Sequence, residues 1–257
     1  MSREVEGPRQ CRRAVAGAGV TGVAVALALV LVLALVLAGC SGGGGRGGGG
    51  PGGRAGAPTA TVTPGPATPE RVAVQPGDLS PRFHRCDFSG DVDSYIAAFK
   101  EVNPSTYQSL TQTWRQLQAA GATGGYFAVY GDADVACNDV LGKATDHDES
   151  LHDDPKGHPT TVWSFVARYR DAAAAAAAYR ADVFGQTHLK DQAFEVVEGE
   201  PTGLGPNSTV GTNQADAPVR QAVWQNTDFT VFYGSENLQP LDSERVTSAI
   251  DGRIARR

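Results

Sequence analysis

Three of the five histidines and five carboxylates fall within residues 146–158. The run is Asp146-His147-Asp148-Glu149-Ser150-Leu151-His152-Asp153-Asp154, with His158 beyond it. Imidazole with carboxylate suits zinc or copper, and carboxylates alone suit calcium. His147, Asp148, His152 and His158 are therefore the candidate ligands. Their spacing serves no metal well. It is not the His-Glu-x-x-His pattern that sets two imidazoles on one helical face. In a calcium loop, Leu151 would stand where the turn glycine belongs and Gly157 where the bidentate glutamate belongs. The plainer reading is a solvated excursion between two strands. No metal or cofactor is expected, and a metal-binding or enzymatic domain built on Asp146–His158 is kept as the alternative. Bound-metal analysis of the dialysed protein separates the two.

Other catalytic patterns are missing. There is no Gly-x-Ser-x-Gly for a nucleophilic serine. Gly203-Leu204-Gly205-Pro206 lacks the third glycine of a dinucleotide loop and reads as a turn between strands. Four cysteines remain to be placed. Cys11 sits among arginines near the start, and Cys40 closes a long apolar run. Cys86 and Cys137 lie beyond the run, in the part expected to fold. In an exported protein they are expected to pair, closing a loop that stabilises the fold by roughly 4 kcal/mol in the chain-entropy model. Two buried free thiols are the alternative. The pair lacks Cys-x-x-Cys spacing, which favours a structural over a redox-active bridge.

From Ala14 to Gly39 the chain is uncharged, and Arg3, Arg9, Arg12 and Arg13 precede it. A basic start, an apolar stretch and small residues at its end make a signal peptide. The end, Leu37-Ala38-Gly39-Cys40, resembles the lipobox of bacterial lipoproteins. That resemblance implies cleavage before Cys40 and a diacylglyceryl group on its sulfur. The alternative is an uncleaved, single-pass membrane helix, because the run exceeds the roughly 7–15 residues of a signal h-region. Both readings leave the rest of the chain outside, since Arg12 and Arg13 stay in the cytoplasm.

Residues 41–80 form a linker in this reading. Ser41–Gly53 is nearly all glycine, and Arg54–Ser80 is rich in Pro, Thr and Ala. Neither part has enough apolar residues for a core. Residues 81–257 are long enough for one domain with a sizeable core. They carry 15 basic and 24 acidic residues, a net −9. An acidic domain without a basic stripe argues against nucleic acid and against adhesion to anionic lipid.

The elements of that domain follow from periodicity. Ordered chain is expected from about Phe83 or Cys86. Asp91 caps a short helix with Val92, Tyr95, Ile96, Phe99 and Val102 on one face. Asn103-Pro104 ends it. A capping box at Ser105 and Gln108 opens a second helix lined by Tyr107, Leu110, Trp114 and Leu117, stopping at Gly121. Strands are expected at Tyr126–Tyr130, Thr161–Tyr169 and Phe194–Val197. Asp171 caps a helix through seven consecutive alanines to Tyr179 and Val183, and the thin alanine face can lie close on a sheet. Val219–Gln225 and Phe229–Tyr233 flank a hairpin turn at Asn226-Thr227-Asp228. A last helix opens at Pro240 or Asp242 and buries Val246, Ala249, Ile250 and Ile254.

The expected class is α+β: an antiparallel sheet of about 4–5 strands covered by helices. From Gly124 to Ile254 this order is similar to the soluble part of many uncharacterised bacterial lipoproteins, a likeness that carries no activity with it. The functional reading is a membrane-tethered, non-catalytic module that meets an envelope protein or wall component. The strand aromatics Tyr126, Tyr130, Trp163, Tyr169, Trp224, Phe232 and Tyr233 decide part of it. Exposed, they would offer a sugar or peptide surface; buried, they are core.

Overall fold

A computed structural model describes residues 67–132, 134–142, 159–191, 194–213 and 218–255. Cys40, His147, Asp148, His152 and His158 lie outside the described residues, as does the apolar run 14–39. Among the described residues no helix is long and apolar enough to cross a membrane.

The frame is an eight-stranded antiparallel sheet, so the class is α+β. Its strands are β1 (His84–Arg85), β2 (Gly90–Asp91), β3 (Ala122–Gly131), β4 (Thr161–Tyr169), β5 (Glu195–Glu198), β6 (Ser208–Asn213), β7 (Val219–Asn226) and β8 (Phe229–Glu236). They are ordered β1-β3-β4-β8-β7-β6-β5, and β2 also pairs with β3. The sheet is thus larger than the expected four or five strands. β1 and β2 are two residues each, too short to show a period. β6 reads Ser-Thr-Val-Gly-Thr-Asn, and its only large apolar residue is Val210.

One face is covered by α2 (Val92–Ala98), α3 (Pro104–Ala119) and α5 (Ala172–Arg180). The carboxylate of Asp91 accepts from the Ser94 amide and caps α2. Asn103, not Ser105, caps α3: its side chain accepts from the Thr106 amide, and Pro104 takes the first helical position. Gly121 then turns the chain at φ 104°, a left-handed geometry that suits glycine, and β3 begins. Asp171 caps α5, which sets Ala174, Ala175 and Ala178 against the sheet. Phe127, Val129, Trp163, Phe165, Ala167, Tyr169, Val223 and Phe232 form the layer beneath.

Two short helices were not legible beforehand: α4 (Asp134–Leu141), which carries Cys137, and α6 (Gln186–Asp191). The hairpin joining β7 to β8 pairs Asn226 with Phe229, with Thr227 at φ 50°.

The opposite face is covered by α7 (Pro240–Ala255) through Val246, Ile250 and Ile254. Asp251 of α7 accepts from the Trp224 indole at 3.1 Å and from the Asn226 amide at 2.8 Å. Beside α7 lies the larger departure from expectation. The composition predicts a linker as far as Ser80, yet the chain packs from Ala67 onward. A one-turn helix, α1 (Pro69–Val72), is followed by a 3-10 turn at Pro76–Asp78. Val72, Ala73 and Val74 are at most 1% exposed. The Val74 amide donates to Ser164 Oγ at 3.0 Å, and Tyr130 donates to the Val74 carbonyl at 3.4 Å. Arg253 of α7 clamps the segment: Nη1 and Nη2 each reach an Asp78 carboxylate oxygen at 2.8 Å. Its Nε and Nη2 also donate to the Val72 and Ala73 carbonyls. This strap evaded a composition-based reading because three small apolar residues among prolines and polar groups carry no periodicity.

Candidate functional site

The strand aromatics are core. Trp224 and Tyr233 are fully buried, and the other five are nearly so. Burial raises the Tyr169 phenol to about 12 and pushes those of Tyr95 and Tyr233 up as well. Groups so placed hold the neutral form and do not serve as bases near neutral pH. Tyr95 stacks on Phe127, and Phe127 on Phe165. Trp163 meets Phe232 edge to face, and lies across Gly234 of β8 where any side chain would collide with its ring. Recognition through an aromatic sheet face therefore has no support among the described residues. The large apolar side chains exposed there are Val197 on β5, at 40%, and Leu241 on α7, at 80%.

Two hollows stand out. One, of about 10 Å³, lies under α2 and α3 among Ile96, Leu110, Trp114 and Phe165. It is apolar and holds at most a single water. The other is of similar volume and is bounded by Thr212, Val219, Arg220, Leu238 and Pro240. Arg220 extends its Nη1 to 3.6 Å from Glu244, and its buried Nε has no partner among the described residues. A volume of about 10 Å³ admits no organic ligand. Nearby, Ser243 Oγ lies 2.9 Å from the Tyr233 hydroxyl and 3.1 Å from Ser235 Oγ. This buried chain consists of hydroxyls that satisfy one another and fix α7 to β8. It has the form of a structural network rather than of an activated nucleophile.

Among the described residues no group of three or more His, Cys, Asp or Glu side chains could hold a metal ion. The candidate ligands His147, Asp148, His152 and His158 are outside those residues.

The remaining chemistry gathers at the end of the sheet where β1 pairs with β3. Cys86 and Cys137 are joined as a disulfide, with Cα atoms 5.6 Å apart. That spacing suits an unforced bridge. Cys86 follows directly after β1. Its amide donates to the Val129 carbonyl at 2.9 Å, and the residue is 3% exposed. Ser89 continues the edge: its hydroxyl accepts from the Val129 amide at 3.0 Å and donates to the Val129 carbonyl at 3.1 Å. Cys137 is half-buried on α4, which sinks Ala136 and Leu141 beneath it. His84, exposed on β1, brings Nε2 to 3.8 Å from Cys137 Sγ. The neighbouring Arg85 crosses the Tyr126 ring and donates to the Tyr126 hydroxyl and the Ser89 carbonyl. Sequence reasoning had paired the cysteines but had not placed a histidine beside them. A single histidine two residues before Cys86 carries no motif that would have shown it.

Comparison with protein-family models, with curated proteins and with solved structures gives no match for this chain.

Proposed function

We propose that the chain is an exported, membrane-tethered and non-catalytic module of the cell envelope. The observation that carries this reading is the order of its parts. A basic and apolar leader ends in Leu37-Ala38-Gly39-Cys40, a Gly- and Pro-rich spacer follows, and a disulfide-bridged domain comes last. A disulfide supports this placement because thiols pair durably on the oxidising side of a membrane. The described domain supports the non-catalytic part, since its buried tyrosines and serines are engaged in packing. Its partner, an envelope protein or a wall component, would be met through polar surface, because among the described residues the exposed large apolar side chains are the isolated Val197 and Leu241.

Lipidation of Cys40 is the decisive feature. Two acyl chains anchor a protein stably where one does not. Mass spectrometry of wild type should find Cys40 as the first residue, with the diacylglyceryl mass on its sulfur. Cys40→Ala should remain unprocessed and larger, still held by its apolar run. Equal masses apart from the substitution, with residues before Cys40 retained in wild type, would leave a single-pass membrane protein and remove the lipoprotein.

A further inference from the structure

Going beyond the tethering role, and without turnover by the module itself, we infer that the Cys86–Cys137 bridge exchanges stoichiometrically with external dithiols, with Cys137 the exchanging sulfur and His84 steadying its thiolate. The two sulfurs are unequal. Cys86 is 3% exposed in the helix-covered core, whereas Cys137 is half-buried on a short helix at the sheet's end. A dithiol approaching from solvent meets Cys137 first. His84, also at the surface, faces that same sulfur at 3.8 Å. An imidazole beside a cysteine favours the thiolate, the form that attacks and leaves in exchange. Cys-x-x-Cys spacing is one way to juxtapose such groups. Here β1 and α4 assemble them from positions 51 residues apart.

The exchange balances as follows. One thiolate of the dithiol attacks Cys137 Sγ, and the bond between the two protein sulfurs breaks. The electron pair leaves on Cys86 Sγ, which takes up a proton. The second thiol then attacks the dithiol's own sulfur in the mixed disulfide, and Cys137 departs as a thiolate facing His84 Nε2. Two electrons pass to the protein. The two protons shed by the dithiol go to Cys86 and to the His84–Cys137 pair. Run backwards, the Cys137 thiolate opens an external disulfide to form the mixed disulfide, and Cys86 then attacks Cys137 Sγ, closes the bridge and releases the external dithiol.

The test uses the full chain purified in detergent, with dithiothreitol as the dithiol. After reduction, limiting iodoacetamide at pH 7 is followed by peptide mass. Cys137 should be alkylated on the order of tenfold faster than Cys86, and His84→Gln should slow Cys137 by about five- to tenfold. His84→Gln should leave the melting temperature of the oxidised protein unchanged, and His84→Lys should restore part of the rate. Reduction of the native bridge should be insensitive to low urea, because attack on Cys137 needs no unfolding. Should His84→Gln fail to melt cooperatively, the wild-type rate ratio and the urea dependence still decide. Equal alkylation of the two cysteines, an unchanged Cys137 rate in His84→Gln, or reduction that rises with urea in step with global unfolding would overturn the assignment.

Discussion

Replacing Arg253 by alanine tests whether the strap is held by its clamp or merely rests beside it. Arg253 makes two charge-assisted bonds to Asp78 at 2.8 Å, and bonds to the Val72 and Ala73 carbonyls at 3.2 and 3.0 Å. The side chains of Arg253 and Asp78 are 23% and 9% exposed. Without the guanidinium, the buried Asp78 carboxylate keeps the Gln75 amide as a partner. Breaking one side of a buried pair costs about 3–5 kcal/mol. The partial exposure of Arg253 admits water to the vacated position, so the lower end applies, about 3 kcal/mol. Urea unfolding followed by tryptophan fluorescence should show this as a lower midpoint. Hydrogen exchange should show the strap loosening first, at the Val74 amide that donates to Ser164. Asp78→Ala in the Arg253→Ala background should add less than about 1 kcal/mol, since the partners act as a unit. Additive losses in the double variant, a single loss below about 1 kcal/mol, or an unchanged Val74 amide would refute the clamp.

Three further outcomes can be measured on the same protein. Gly234→Ala would drive a methyl into the buried Trp163 ring, an overpacking worth about 3 kcal/mol, read as a lower urea midpoint and an altered near-UV tryptophan signal. Asp91→Ala should cost about 1 kcal/mol through loss of the α2 cap. The Ser94 amide first, and its hydroxyl second, hold the Asp91 carboxyl below the usual range. The cap's contribution is therefore present above the unfolded carboxylate pKa and lost as pH falls through the lower folded value, so wild type and variant should converge in acid. Absorbance titration at alkaline pH should show Tyr95, Tyr169 and Tyr233 ionising late, because burial raises all three. Their stabilising effect is complete below the unfolded phenol pKa and declines above it, so their ionisation should coincide with unfolding.

What the sequence made legible was what has a period or a cap. Val92, Tyr95, Ile96 and Phe99 announced α2, and Trp163, Phe165, Ala167 and Tyr169 announced one face of β4. Asp91 and Asp171 were visible as caps because a short acceptor directly before an apolar pattern has few other uses. Asn103 was passed over in favour of Ser105, although Pro104 at the first helical position marked the residue before it as the cap. β6 and the strap were hidden for a related reason. Their burial is imposed by neighbours in space, and small or polar residues do not report it. At the candidate site, the pairing of Cys86 with Cys137 followed from elimination. The approach of His84 depends on β1 lying against β3, which a two-residue strand could not reveal.

The clamp between Asp78 and Arg253 also bears on how the molecule is made. Its partners are 175 residues apart, one near the beginning of the fold and one near its close. A chain emerging from its N-terminal side presents the strap first and the residue that secures it almost last. Val74 can bond to Tyr130 and Ser164 once β3 and β4 are made, but until α7 arrives Val72, Ala73 and Val74 lack the clamp that secures them. Their brevity then becomes an advantage: the apolar stretch is short, with Glu70 and Arg71 on one side and Gln75 and Pro76 on the other. Charge and proline at the borders are the features that keep a waiting segment from pairing with other chains. The segment that completes the sheet's second layer is thus composed so that it can afford to wait for its partner.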